Sequence, residues 1–247
     1  MSGILIVGVA SVNFGTMSPF SGVTYGASSL TRIGSFVGAD SSAAVEFWSL
    51  FSPPTGTATV TVTLTGSNYF LAGGSSSYFN VGGTGAFAGT YCSGCDEDPP
   101  NPSNPLVTVN ANSGDLVVDT VVLGKTSSFS LAAGSGQTER WNSGTIPIPL
   151  PPPFPPVTFY LVAGGSDKPA SSPVTMSWNA GSFISFGPED AGGWILAAVA
   201  LTPARTLPVG GIVVPVDTLA VLAPWLVVMG LVGCISTAVV VAKKREM

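Results

Sequence analysis

Alternation of apolar and polar residues is strictest at residues 57–65 (TATVTVTLT). One face holds five threonines, and the other holds four apolar side chains: Ala58, Val60, Val62 and Leu64. A period of two over nine residues is typical of a half-buried strand. The segment therefore predicts a strand with one face toward a core.

Shorter apolar runs between Gly, Pro, Asn and Ser turns predict further strands. They lie at residues 4–9, 23–38 (two short strands), 43–51, 106–109, 114–123, 174–178 and 193–201. The last run is apolar on both faces, which predicts a central strand. Residues 69–88 are rich in Gly and Ser and predict a long loop with one or two irregular strands. Eight to ten strands and no soluble helix predict an all-β fold, an antiparallel and jelly-roll-like β-sandwich.

Residues 146–156 (IPIPLPPPFPP) hold seven prolines in eleven positions. Proline blocks helices and pairing within a central strand, and it favours polyproline II. We expect a stiff, exposed insertion. A rigid spacer fits better than a docking site for a proline-binding partner, because such ligands are usually bound by cytoplasmic modules.

The C-terminal segment, residues 219–242, contains no charged residue in 24 positions. As a helix it spans about 36 Å, enough to cross a hydrocarbon core of roughly 30 Å. Its twelve Leu, Ile and Val residues contribute about −4 to −7 kcal/mol to insertion. This predicts a transmembrane helix rather than a buried helix of a soluble protein, which rarely lacks a polar face over such a length.

Three basic residues, Lys243, Lys244 and Arg245, directly follow this helix. Basic residues beside a span stay preferentially on the cytoplasmic side. We therefore expect a single-pass protein of the cell membrane with its N-terminal domain outside. The predicted segments are a β-sandwich ectodomain (1–204), a Pro/Gly linker (205–218), the helix (219–242) and a cytoplasmic tail (243–247).

The predicted extracellular part, residues 1–218, is acidic and contains no histidine. It has five Lys and Arg against twelve Asp and Glu, a net charge of −7. Such a surface repels phosphates, so we expect no nucleic-acid partner. The absence of histidine anywhere in the chain excludes Ser-His-Asp triads, Cys-His dyads and His-based zinc sites.

Carboxylates remain as candidates for hydrolysis of glycans, which requires two of them facing each other at about 5 to 9 Å. Glu46 and Glu139 lie on strand-like segments, but nothing in the sequence pairs them. Glu46 is equally suited to an ion pair with Arg32, and Glu139 is adjacent to Arg140. We expect a protein that is not an enzyme, with a glycan hydrolase as the alternative.

Cys92 and Cys95 have CxxC spacing, with no second pair to complete a zinc site. A local disulfide is the first interpretation and a free thiol pair the second, since disulfides persist outside the cytoplasm. Asp96, Glu97 and Asp98 follow directly. They offer hard oxygen ligands to Ca²⁺, the one cofactor considered, but a solvated run of charges is the simpler interpretation.

Tryptophans offer a surface on which sugars stack, with Trp48 and Trp141 as the candidates. In a sandwich, tryptophan more often belongs to the core, and Trp194 in its apolar strand is the clearest example.

Several segments together carry a resemblance to a known module: residues 23–35, 45–66, 114–124, 136–142, 174–178 and 194–204. Their order along the chain and their amino-acid sequences resemble a concanavalin-like or jelly-roll-like β-sandwich module of secreted and surface proteins of bacteria, archaea and phages. The resemblance implies no fixed catalytic residues. SGILIVGVAS looks like the second strand of that module, so we expect a further strand and a signal peptide before Met1.

Residues 207–226 resemble membrane anchors of archaeal surface proteins. LPVGG is also similar to the sortase signal, but Gly210 stands where that signal has Thr, which argues against covalent attachment to a wall.

The sequence thus predicts a prokaryotic cell-surface protein anchored in membrane lipid, with a structural, adhesive or ligand-binding role toward a glycan or a protein. A viral or phage structural protein with the same sandwich is a further alternative.

Overall fold

A computed structural model of the chain describes residues 3–13, 20–39, 41–66, 70–93, 104–125, 128–149, 158–181 and 193–204. Within these ranges it contains sixteen strands and no helix. The strands are β1 (Gly3–Val12), β2 (Phe20–Tyr25), β3 (Ser28–Ser29), β4 (Thr31–Val37), β5 (Ala43–Phe51), β6 (Val60–Leu64), β7 (Phe70–Phe79), β8 (Val81–Ser93), β9 (Leu106–Val109), β10 (Leu116–Lys125), β11 (Ala132–Ala133), β12 (Thr138–Asn142), β13 (Ile146–Pro149), β14 (Thr158–Pro169), β15 (Val174–Asn179) and β16 (Gly193–Pro203).

Two large antiparallel sheets form the centre of the fold. The β1 sheet has the strand order β4-β5-β1-β7, and the β10 sheet has the order β12-β14-β10-β16-β8, with β13 also paired to β14. They pack face to face over a core that includes Ile6, Val45, Phe47, Val122 and Ile195, each at most 2% exposed. The prediction of an all-β, antiparallel, sandwich-like fold is confirmed.

A small sheet covers the outer face of each large one. The β2 sheet (β3-β2-β6) lies on the β1 sheet, and the β15 sheet (β11-β15-β9) lies on the β10 sheet. Strand β1 consequently sends Ile4 and Ile6 into the inner core, and Leu5 and Val7 into an outer one. Burial on both faces explains why the central strands are nearly continuous apolar runs.

Strand β6 shows the opposite pattern because it belongs to an outer layer. Val60 and Val62 pack toward the β1 sheet, whereas Thr61 and Thr63 are exposed. The alternation at residues 57–65 therefore predicted the right face. The strand is shorter than predicted, and Ala58 lies before it and is exposed.

Residues 69–88 were predicted as a long loop with one or two irregular strands. Two strands are present, but the loop was wrong, because β7 and β8 are long, paired strands. The glycines of this region make room for aromatic rings from neighbouring strands. A Cβ atom on Gly74 would lie 2.2 Å from the ring of Trp141, and one on Gly89, directly after this region, would lie 2.2 Å from the Cγ atom of Phe36. These glycines allow close packing rather than a turn.

Two further elements differ from the prediction. Strand β14, a neighbour of β10, was not predicted at all, and the count of eight to ten strands was too low. Residues 146–149 of the proline-rich segment form β13, which pairs with β14. Proline is compatible with such an outer strand, because N–H groups that point away from the partner need no ladder bond. Residues 150–157 lie outside the described residues.

Among the described residues no helix has the length and apolar character required to cross a membrane. The linker, the predicted transmembrane helix at 219–242, and Lys243, Lys244 and Arg245 all lie outside those residues.

Candidate functional site

A buried carboxylate, Asp119, lies in the middle of β10 on the face covered by the β15 sheet. Its side chain is 1% exposed. Oδ1 accepts hydrogen bonds from the backbone N–H and the hydroxyl of Ser166, both at 2.8 Å. Oδ2 accepts from Nε1 of Trp178 at 2.9 Å and from Nε2 of Gln137 at 3.3 Å. All four partners donate, so the carboxylate is fully hydrogen-bonded.

Gln137 extends this network from the β10 sheet to the β15 sheet. Its Nε2 also donates to Oγ of Ser166 at 2.7 Å, and its Oε1 accepts from the backbone N–H of Ser177 at 2.7 Å. Ser177 and Trp178 belong to β15, whereas Asp119 and Ser166 belong to adjacent strands of the β10 sheet. The network thus ties an outer layer to a central one.

The electrostatics of Asp119 reflect its burial. Loss of solvation raises the pKa of the carboxyl to about 7, and the donors from Ser166 and Trp178 offset part of this rise. A carboxyl with such a pKa has the protonation behaviour of a general acid. Asp119 is enclosed, however, and has no open face toward a substrate. Its geometry fits a structural role.

A second buried carboxylate, Asp167 of β14, is the centre of a cluster on the inner face of the β10 sheet. Arg140 binds it with two hydrogen bonds, from Nε to Oδ2 at 2.5 Å and from Nη2 to Oδ1 at 3.0 Å. The hydroxyl of Tyr78 donates to Oδ2 at 2.9 Å. Tyr78 belongs to β7, so the cluster joins the two large sheets near their edge. Burial, followed by the charge of Asp167, raises the pKa of Tyr78 well above its usual range.

The substitution Tyr78→Phe should lower the free energy of unfolding by about 1–2 kcal/mol, because it removes a hydrogen bond to a buried charge. Tyr91→Phe is the matched control, since Tyr91 is 41% exposed and its hydroxyl has no hydrogen bond within the described residues. Urea unfolding of the full chain measures both. Equal stabilities of the two variants would contradict the inter-sheet bond.

A third buried carboxylate, Glu46, lies on the outer face of the β1 sheet. Oε2 accepts from Nε1 of Trp48 at 3.0 Å, and Oε1 lies 3.4 Å from Nη1 of Arg32. The ion pair of Arg32 with Glu46 that the sequence suggested is therefore present. Glu139 is exposed on β12 and pairs with Ser166 on the outer face of the β10 sheet. Glu46 and Glu139 thus lie on opposite outer faces of the sandwich and do not form a facing pair.

The tryptophans considered for stacking are placed differently from one another. Trp48 is 8% exposed and lies in the outer core under the β2 sheet, so it offers no ring face to a ligand. Trp141 is half-buried between Gly74 of β7 and Gly165 of β14. A stacking role for Trp141 stays a prediction. Trp194 is a core residue, as predicted.

The cysteine and acidic candidates are only partly described. Cys92 is disulfide-bonded, and its pairing with Cys95 stays a prediction because Cys95 lies outside the described residues. Asp96, Glu97 and Asp98 also lie outside them. Among the residues that the structure does describe, no group of three or more His, Cys, Asp or Glu side chains is placed to hold a metal ion.

Sequence reasoning did not identify Asp119, Ser166 and Gln137 as a cluster. One signal was present, because Asp119 is a lone charge inside an apolar run and such a charge is buried only with partners. Its partners were not visible, since Ser166 is 47 positions away and Trp178 is 59.

Among the clefts on the surface of the described residues, two are considered for ligand binding. An apolar groove of about 280 Å³ lies between β6 and β7 and is lined by Val7, Val9, Val60, Val62 and Leu71 among others. A cleft of about 180 Å³, which we call the end cleft, lies where β1 begins and β7 ends, and the loop between β5 and β6 forms its other wall.

These features define a class: an all-β, sandwich-like protein in which the buried carboxylates Asp119 and Asp167 join neighbouring layers. No family model, curated protein or solved structure matches the chain.

Proposed function

We propose that the chain is a membrane-anchored cell-surface protein with a structural, adhesive or ligand-binding role. Its described part would be a jelly-roll-like ectodomain of the concanavalin-like kind, joined by the linker at 205–218 to a transmembrane helix at 219–242. The ligand would be a glycan or a protein.

One observation supports this role: the buried carboxylates are hydrogen-bonded to groups of the protein itself. In the described ranges these are Glu46, Asp115, Asp119 and Asp167, and each accepts hydrogen bonds from the protein itself. A hydrolase requires two carboxylates that reach a substrate. Carboxylates bonded in this way support a fold built for stability and surface recognition.

The location is supported by the charge-free segment at 219–242 and by the basic residues that follow it. The acidic balance of residues 1–218 fits exposure outside the cell and disfavours a nucleic-acid partner.

Protease treatment of intact cells that express the full chain tests this location. We expect the ectodomain to be cleaved without lysis, and the protein to stay with membranes after a salt wash and to leave them in detergent. If the ectodomain is protected in intact cells and cut only after lysis, the proposed topology is wrong. Recovery of the whole chain in the aqueous fraction would contradict the anchor.

A further inference from the structure

We propose that the end cleft binds a neutral sugar ring, an inference that rests on the ligand-binding role proposed above. Phe79, the last residue of β7, lines this cleft and is 74% exposed. Tyr25 lines it as well, whereas the ring of Tyr78 packs against the inner core with its hydroxyl on Asp167. An aromatic ring left in water beside a second aromatic residue is suited to a ligand that has an apolar face and polar edges.

The walls of the end cleft are formed before any ligand arrives. The hydroxyl of Tyr25 donates to the backbone oxygen of Gly56 at 2.7 Å, and the backbone N–H of Ser52 donates to the oxygen of Gly3 at 2.8 Å. Gly56 has a φ of +99°, which glycine adopts without strain. The loop between β5 and β6 is therefore held at its start and at its middle, and binding costs little ordering entropy.

The chemistry of the lining selects a neutral, hydroxyl-rich ligand. Ser77 and Thr55 contribute exposed hydroxyl groups, and Pro53 and Pro54 contribute an apolar wall. No charged residue is among those that line the cleft in the described structure. With no cation in the lining and a net charge of −7 on residues 1–218, anionic ligands such as phosphates and acidic sugars are disfavoured.

The size of the end cleft limits the ligand to about one ring. Its volume of about 180 Å³ is below the range of roughly 300–1,000 Å³ of sites for drug-sized ligands. A single pyranose ring of a neutral glycan fits this description, with its C–H face on Phe79 and its hydroxyls toward the hydroxyl and backbone groups of the wall.

Binding of neutral methyl glycosides to the purified full chain tests the inference. The probes are the methyl α- and β-glycosides of glucose, galactose and mannose at millimolar concentration, followed by saturation-transfer NMR. The detergent must be of the polyoxyethylene type, because maltoside and glucoside detergents present the proposed ligand. We expect saturation of ring C–H protons for at least one glycoside.

Phe79→Ala should weaken this binding by about tenfold, since a stacked aromatic ring contributes a binding free energy that corresponds to about a tenfold change in affinity. Phe51→Ala is the matched control, because Phe51 is also an exposed phenylalanine, at 46%, and does not line the cleft. Phe79→Ala should keep the melting temperature of the parent protein, since that side chain is 74% exposed, and Phe51→Ala should lower it only slightly, since nearly half of its side chain is exposed.

The inference is overturned if none of the six glycosides binds, if Phe79→Ala binds as tightly as the parent, or if Phe51→Ala loses binding equally. Displacement of the sugar by sialylated or sulfated glycans at lower concentration, or binding of a proline-rich peptide in place of the sugar, also overturns it. Protease cleavage on intact cells reports separately on the proposed location, so a failed sugar site leaves surface display standing.

Discussion

The substitution Asp119→Ala should lower the free energy of unfolding by about 3–5 kcal/mol. It leaves the backbone N–H of Ser166 and Nε1–H of Trp178 buried without their acceptor, and each such group costs about 1–3 kcal/mol. Single domains are stable by only about 5–15 kcal/mol, so a large part of the stability is at stake. Urea unfolding of the full chain in detergent, followed by tryptophan fluorescence, measures the effect.

Asp115→Ala is the control for this substitution, because Asp115 is also buried but accepts one backbone bond, from Asn112 at 2.8 Å. We expect a loss of about 1 kcal/mol for the control. A loss of that size for Asp119→Ala as well would show that the network contributes no more than a single bond.

Because the pKa of Asp119 is raised, we expect the free energy of unfolding to depend on pH. The pKa of Asp119 is about 7 in the folded chain and near 3.8 when exposed, so between these values the folded state holds a proton that the unfolded state has released. The stabilisation from this proton is complete below about pH 4 and is lost as the pH rises toward 7, with a total on the order of 4 kcal/mol.

Asp119→Asn isolates this contribution, because asparagine has nearly the same size and does not titrate. The difference in unfolding free energy between parent and variant should be larger at pH 4 than at pH 7.5. Subtracting the variant removes the contribution of the other carboxylates. A difference that is constant with pH would mean that Asp119 does not titrate in this range.

The sequence predicts strands well where local pattern decides their environment. The alternation around Val62 and the doubly apolar run around Leu196 correspond to an outer strand and a central strand, respectively. In both cases the side-chain period alone reports how many faces are covered. Pairing between distant strands has no such local signal, so the partners of Asp119 could not be read from the sequence.

The Gly and Ser content of residues 69–88 led to the wrong prediction of a loop for a related reason. Gly and Ser are turn residues by local rule, but Gly74 lies under the ring of Trp141, and Gly89, directly after this region, lies under the ring of Phe36. Those rings come from strands 67 and 53 positions away in the chain. A glycine that leaves room for an aromatic ring can be distinguished from a turn glycine only when the residue that fills the space is known.

Trp141 provides a test of this packing, because its ring lies between glycines of the two large sheets. A Cβ atom on Gly165 would lie 2.1 Å from Nε1 of Trp141, far inside van der Waals contact. Gly165→Ala should therefore lower the free energy of unfolding by about 1–3 kcal/mol through overpacking. Gly22→Ala is the matched control, since a Cβ atom there meets no heavy atom within 4 Å, and it should be neutral or slightly stabilising.

A double-mutant cycle with Trp141→Leu shows whether the ring is the cause. The cost of Gly165→Ala should fall in the Trp141→Leu background, because the smaller side chain leaves room for the added methyl group. Urea unfolding of the four proteins gives the coupling energy. An unchanged cost in that background, or a Gly165→Ala variant as stable as Gly22→Ala, would mean that the sheets do not close on Trp141 as the structure places it.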